Sequence, residues 1–223
     1  MKILLFSFTT MLVSASCFLR SSTSDDEQFS GETVKDKRQL TMNEKVRDTA
    51  TFAAGCFWCV EAVFQNLKGV EKVTSGYSGG QIKNPSYREV CMGTTGHAEV
   101  CQIVYQPEII SFTELLEVFW KTHDPTTLNR QGNDIGTQYR SAIFYHSMSQ
   151  KDLAEKYKKE LNENKVFDNP VVTEIVPFSS FYVAEDYHQN YFNLNSQEPY
   201  CRFVIQPKVE KFTKVFGDKL QKK

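Results

Sequence analysis

Two cysteines three residues apart, Cys56 and Cys59, follow a short apolar run that ends in a glycine, Thr51-Phe52-Ala53-Ala54-Gly55. A cysteine attacks as its thiolate, and a helix start favours that anion through free backbone N–H groups and the positive end of the dipole. Cys56 falls at the first turn of the helix predicted from Phe57 onward, so its pKa is expected to fall. Gly55 lets the chain turn sharply beneath it, and Phe57-Trp58 set two aromatics beside it, an apolar socket for a methyl or thioether group. The other cysteines, Cys17, Cys91, Cys101 and Cys201, stand apart. A secreted disulfide scaffold packs its cysteines more densely into a shorter chain. A zinc module needs a second close ligand pair, which neither these cysteines nor the histidines supply, so no metal is expected. The cysteines read as chemistry rather than as staples.

The elements that must position them follow from periodicity. Thr51–Ala54 reads as a strand, and Val60, Val63, Phe64 and Leu67 recur at helical spacing up to Gly69. Val70–Tyr77 alternates weakly and ends in a Ser-Gly-Gly turn. Ala98–Tyr105 is apolar on both faces, as in the middle of a covered sheet. Ser111-Phe112-Thr113-Glu114 matches a capping box before Leu115, Leu116, Phe119 and Trp120. Tyr139–Tyr145 is a further strand, and Ser149 opens a helix to about Asn164 with Leu153, Tyr157 and Leu161 buried. Val171–Val176 and Arg202–Ile205 complete the strands. Elements in the order β-α-β-β-α-β-α-β imply an α+β fold. The expected architecture is a two-layer sandwich, a mixed sheet with a ferredoxin-like βαββαβ-type core plus an irregular C-terminal extension. Residues 122–138 read as one long irregular loop, a length more often functional than idle.

Lys2, an apolar run from Ile3 to Val13 and the small residues Ser14-Ala15-Ser16 read as a signal peptide over residues 1–16. This predicts export (secretory, periplasmic, or lipid-anchored through Cys17), with a mitochondrial presequence as the alternative. Residues 17–48, charged and poor in apolar side chains, read as a flexible linker. The catalytic domain is expected over 49–216, and 217–223 as a basic tail lying in solvent. With 17 Phe and 10 Tyr the chain has ample surface to bury, and a net charge of −1 removes the electrostatic case for nucleic acid.

The sequence resembles the A-type peptide-methionine sulfoxide reductases. The resemblance rests on Gly55-Cys56-Phe57-Trp58 with Glu61, Gly76-Tyr77-Ser78-Gly79-Gly80, Asn84-Pro85-Ser86-Tyr87-Arg88-Glu89-Val90 and Gly96-His97-Ala98-Glu99. It continues through His123-Asp124-Pro125, Arg130-Gln131-Gly132-Asn133-Asp134, Gly136-Thr137-Gln138-Tyr139-Arg140-Ser141 and Ala184-Glu185-Asp186-Tyr187-His188-Gln189. These blocks run in family order from about Thr49 to Pro207.

The resemblance implies a role for each matching residue. Cys56 attacks the sulfoxide sulfur, Glu99 protonates the oxide, Tyr87 and Tyr139 hydrogen-bond it, and Asp134 orients the site. Phe57 and Trp58 hold the substrate methyl. Apolar strand neighbours are expected to keep Glu99 protonated. The resulting sulfenic acid condenses with a second thiol, for which Cys59 is preferred and Cys201 is the alternative. Cys91, Cys101 and the histidines His97, His123 and His188 are expected to be structural. No bound cofactor is implied; a thioredoxin-like dithiol is the reductant, the substrates are proteins carrying methionine sulfoxide, and the S epimer is preferred. A monomer is expected, in contact with membrane only if Cys17 carries lipid. The nearest rival, a thioredoxin-like disulfide oxidoreductase, is disfavoured by the bulky Phe57-Trp58 between the two cysteines.

Overall fold

The computed structural model describes residues 46–221, so the expected signal peptide, Cys17 and residues 17–45 of the expected linker lie outside the described residues. The chain order is β1 (Asp48–Ala54), α1 (Phe57–Phe64), β2 (Val70–Ser78), α2 (Tyr87–Cys91), β3 (Ala98–Tyr105), α3 (Phe112–Thr122), β4 (Arg130–Gln131) and β5 (Asp134–Ile135). It continues with β6 (Ser141–Tyr145), α4 (Met148–Glu163), β7 (Glu174–Pro177), β8 (Phe181–Val183), α5 (Tyr191–Leu194) and α6 (Gln206–Val215).

Six strands form one mixed sheet in the order β7-β6-β1-β3-β2-β8. Every neighbouring pair is antiparallel except β6 and β7, which α4 joins in parallel. Parallel neighbours need such a crossover. Alternation sends successive side chains of one strand to opposite faces, and here both faces are covered. Phe52, Cys101 and Ile103 join the large cluster that also holds α1 and α3 residues, whereas Ala53, Ala98 and Val100 join a smaller one with Phe144. Phe52 meets Phe119, Phe64 and Phe112 with ring centroids 5.0, 5.6 and 5.9 Å apart, spacings at which tilted rings attract. Glu99 is two residues from Cys101 and therefore faces the helix side.

Several expected boundaries shift, each for a local reason. Ser147, not Ser149, caps α4, its hydroxyl accepting from Gln150 N at 3.2 Å. The strand expected at Val171–Val176 forms as Glu174–Pro177. The strand expected at Arg202–Ile205 is absent: Cys201–Ile205 is a π-helical turn that leads directly into α6. Cys201 and Ile205 are buried while Phe203 is 75% exposed, so the apolar triplet 203–205 has one inward side chain and no strand-like face. Residues 122–138 are not irregular throughout, because β4 and β5 form a small hairpin there. The segment expected to lie in solvent as a basic tail is held. Lys219 Nζ pairs with Glu114 at 2.6 Å and Leu220 bridges to Leu67, while residues 222–223 lie outside the described residues.

Candidate active site

β1 ends at Ala54 and is followed by Gly55, whose φ of +85° is open to glycine at little cost. A Cβ there would come within 2.6 Å of the Gln131 side chain from the β4–β5 hairpin. The chain then enters α1 with Cys56 as its N-cap. One turn of α1 sets Cys59 beside Cys56, and each thiol shifts the acidity of the other.

Cys56, Phe57, Trp58, Tyr87, Glu99, Asp134, Tyr139 and Tyr200 line a cleft of about 220 Å³. Seven of these were singled out from the sequence as catalytic or pocket residues, and the fold brings them together from α1, α2, β3, the hairpin and the turn before β6. Glu99, only 1% exposed, accepts from Phe57 N at 3.0 Å through Oε2. Burial pushes its pKa up to about 8, against the pull of that N–H. It is therefore a neutral acid at pH 7, with its second oxygen left to carry the proton. Burial also raises Tyr87 and Tyr139 above the ordinary phenol value, so both stay neutral hydrogen-bond donors.

Cys56 departs from expectation. It is 7% exposed, and its pKa is raised, not lowered. Burial is the largest cause, followed by the hydrogen bond it donates to Cys59 and the charge of Glu99 when ionised. At the helix end Cys56 makes no side-chain cap hydrogen bond. The sulfur that is lowered is Cys59, chiefly because Cys56 donates to it. Protonation of Glu99 removes one obstacle to ionising Cys56.

Two contributors were not assigned from the sequence. Tyr200 Oη donates to Asp134 Oδ2 at 2.7 Å, and its hydroxyl reaches both Cys56 and Cys59. Asp134 is thus tied to the cysteine pair through a tyrosine that lies 66 positions away. Glu185 accepts from Tyr87 N at 2.8 Å and from Tyr77 Oη at 2.9 Å, fixing the start of α2. A sequence signal for α2 itself existed, since Ser86 and Glu89 form a capping box. Trp58 is held on three sides. Its Nε1 donates to His188 Nδ1 at 3.1 Å, Tyr191 stacks on it at 3.7 Å and 8°, and Tyr200 meets it edge-on.

Cys201, fully buried, shares an apolar cluster with Cys56, Cys59, Ala62 and Ile205. Cys101 donates to Phe57 O at 3.4 Å inside the core, while Cys91 is exposed. His97 holds a loop, accepting from Gly80 N and bonding to Ile82 O. His123 is kept neutral by burial, its pKa lowered to about 4. Among the described residues, no three His, Cys, Asp or Glu side chains group as metal ligands.

A buried cysteine pair facing a protonated carboxyl and neutral phenols defines a thiol-dependent oxidoreductase site. The family model described as peptide methionine sulfoxide reductase matches residues 48–220. The chain is 54% identical over 173 residues to peptide methionine sulfoxide reductase MsrA of Trichodesmium erythraeum, covering 78% of this chain and 98% of the relative. It is 56% identical over 172 residues to the MsrA of Sulfolobus acidocaldarius, covering 77% and 97%. The solved structure of Mxr1 from Saccharomyces cerevisiae in reduced form is similar, with TM-score 0.66, 37% identity and coverage of 71% and 91%. The methionine sulfoxide reductase A of Corynebacterium diphtheriae aligns with TM-score 0.63, 35% identity and coverage of 70% and 78%. The chain belongs to the peptide methionine sulfoxide reductase family, of the A type, and is an enzyme of that class.

Proposed function

We propose that the enzyme reduces the S epimer of methionine sulfoxide, in proteins and as the free amino acid, by the sulfenic-acid route. The observation that carries this reading is a cleft in which Cys56 faces a buried Glu99 with a pKa of about 8. Phe57 and Trp58 receive the S-methyl group, and the neutral phenols of Tyr87 and Tyr139 donate to the oxide. Cys59, the more acidic sulfur, starts as the thiolate and takes the Cys56 proton. The Cys56 thiolate so formed bonds to the sulfoxide sulfur while Glu99 protonates the oxygen, and that sulfur–sulfur bond is cleaved again as the hydroxyl moves to Cys56. The S–O bond of the substrate breaks, methionine leaves, and the oxygen remains on Cys56 as a sulfenic acid. Cys56 is oxidised by two electrons and the sulfoxide is reduced by two. The Cys59 thiol then attacks that sulfenic sulfur, expelling water and forming a Cys56–Cys59 disulfide.

Contact between the two thiols supports Cys59 as the resolving residue. Cys201 lies in the same cluster and supports a second step, in which it attacks that disulfide and passes it outward. An external thioredoxin-like dithiol closes the cycle by exchange. Export of the protein, with residues 1–16 as the signal, belongs to the same proposal. So does a ferredoxin-like core, supported by the order β6-β1-β3-β2 of the four central strands.

The test is incubation of the reduced protein with racemic peptide sulfoxide. With dithiothreitol, half of the racemate should be consumed and methionine released. Without reductant, peptide mass mapping should find Cys56 bonded to Cys59. Consumption of neither epimer contradicts the activity, and a Cys56–Cys201 bridge alone overturns the choice of Cys59.

A further inference from the structure

Glu61 is the acid of the Cys56 block that the chemistry above does not use. It lies on α1 three residues after Trp58, so the two project from adjacent positions on one face. Glu61 is 3% exposed, and a carboxylate so deep must be matched by donors. Among the described residues no cation pairs with it. Its oxygens instead accept two successive backbone N–H groups, Asn190 N at 2.9 Å on Oε1 and Tyr191 N at 3.3 Å on Oε2. Asn190 sits in the left-handed region at φ +53°, a turn that aims consecutive N–H groups at one anion. Tyr191 is thereby gripped twice from α1, its backbone by Glu61 and its ring by the stacked Trp58. The segment held in this way leads on to Tyr200 and Cys201.

We propose that Glu61 is a positioning residue that latches the segment from Asn190 to Cys201 onto α1, setting the Trp58 ring as a pocket wall and keeping Cys201 sealed. The inference rests on Trp58 lining the sulfoxide pocket. Glu61→Gln retains the volume and one acceptor but turns an NH₂ group toward the second backbone N–H, where a donor meets a donor.

The experiment compares the full-length reduced protein with Glu61→Gln by hydrogen exchange and by steady-state kinetics on free methionine sulfoxide. Loss of a charge-assisted hydrogen bond should speed exchange across residues 188–201 about tenfold or more, leaving β3 unchanged. KM should rise about tenfold while the saturated rate stays within about threefold. Should Glu61→Gln not fold, Glu61→Asp, too short to reach both amides, is measured in the same way. Unchanged exchange in 188–201, equal acceleration in β3, or an unchanged KM each overturns the proposal. Turnover by the unsubstituted enzyme is the separate control: its failure would fault the sulfoxide reading, whereas the exchange result tests the latch alone.

Discussion

Cys56→Ser should eliminate sulfoxide reduction, with a fall on the order of 10⁶ or to background, the scale of losing a catalytic nucleophile. A hydroxyl in this site has no base able to ionise it, because Cys59 is far too weak for that task. The loss should come without unfolding. Cys56 is the N-cap of α1 and makes no side-chain cap hydrogen bond, and serine is a preferred residue there. Stability should therefore be unchanged or slightly improved, as thermal melting would report. Turnover above a tenth of the original rate would remove Cys56 from the first step. A cooperative collapse of the fold would instead assign it a structural part that its place at the cleft does not suggest.

Glu99→Gln should leave Cys56 reactive toward an alkylating agent yet slow sulfoxide reduction by about 10²–10⁴ at pH 7, the contribution of a positioned general acid. The sign of its pH dependence follows from the raised pKa of about 8. Below that value the carboxyl holds a proton and can donate it; as pH rises through it, the donor is lost. The first turnover of the unsubstituted enzyme should accordingly decline above about pH 8, and Glu99→Gln should lack that limb. Ionised Glu99 also opposes the Cys56 thiolate, so both effects penalise alkaline conditions. An identical alkaline limb in the variant would show that another group supplies the proton.

The places of Cys56 at a helix start and of Glu99 among apolar strand residues were legible because local facts define them. A strand, a glycine and a helix start place Cys56, and the two-residue period of β3 turns Glu99 toward α1. The capping box at Ser111 and Glu114 also forms as read, each side chain bonding the other's backbone. What was not legible depends on partners distant in sequence. The rise in the Cys56 pKa comes first from burial, then from the bond to Cys59 and the charge of Glu99, and a helix-start rule that considers only nearby N–H groups includes none of these. Tyr200 gains its place through Asp134, across a fold that no local spacing encodes. The turn at Cys201–Ile205 misled because Phe203-Val204-Ile205 looks like strand sequence, while its burial follows a spacing of four residues, from Cys201 to Ile205. That spacing belongs to a helix.

The central claim, oxygen transfer from the sulfoxide to Cys56, is tested most directly with Cys59→Ser under single-turnover conditions. Reduced protein is mixed with one equivalent of methionine (S)-sulfoxide and a sulfenic-acid trap, then digested and mapped by mass. The account requires one methionine released per chain, more slowly than in the unsubstituted protein because Cys59 no longer takes the Cys56 proton, and one trapped adduct on the peptide carrying Cys56. Methionine released with the adduct on another cysteine, or with no oxidised cysteine at all, would contradict it.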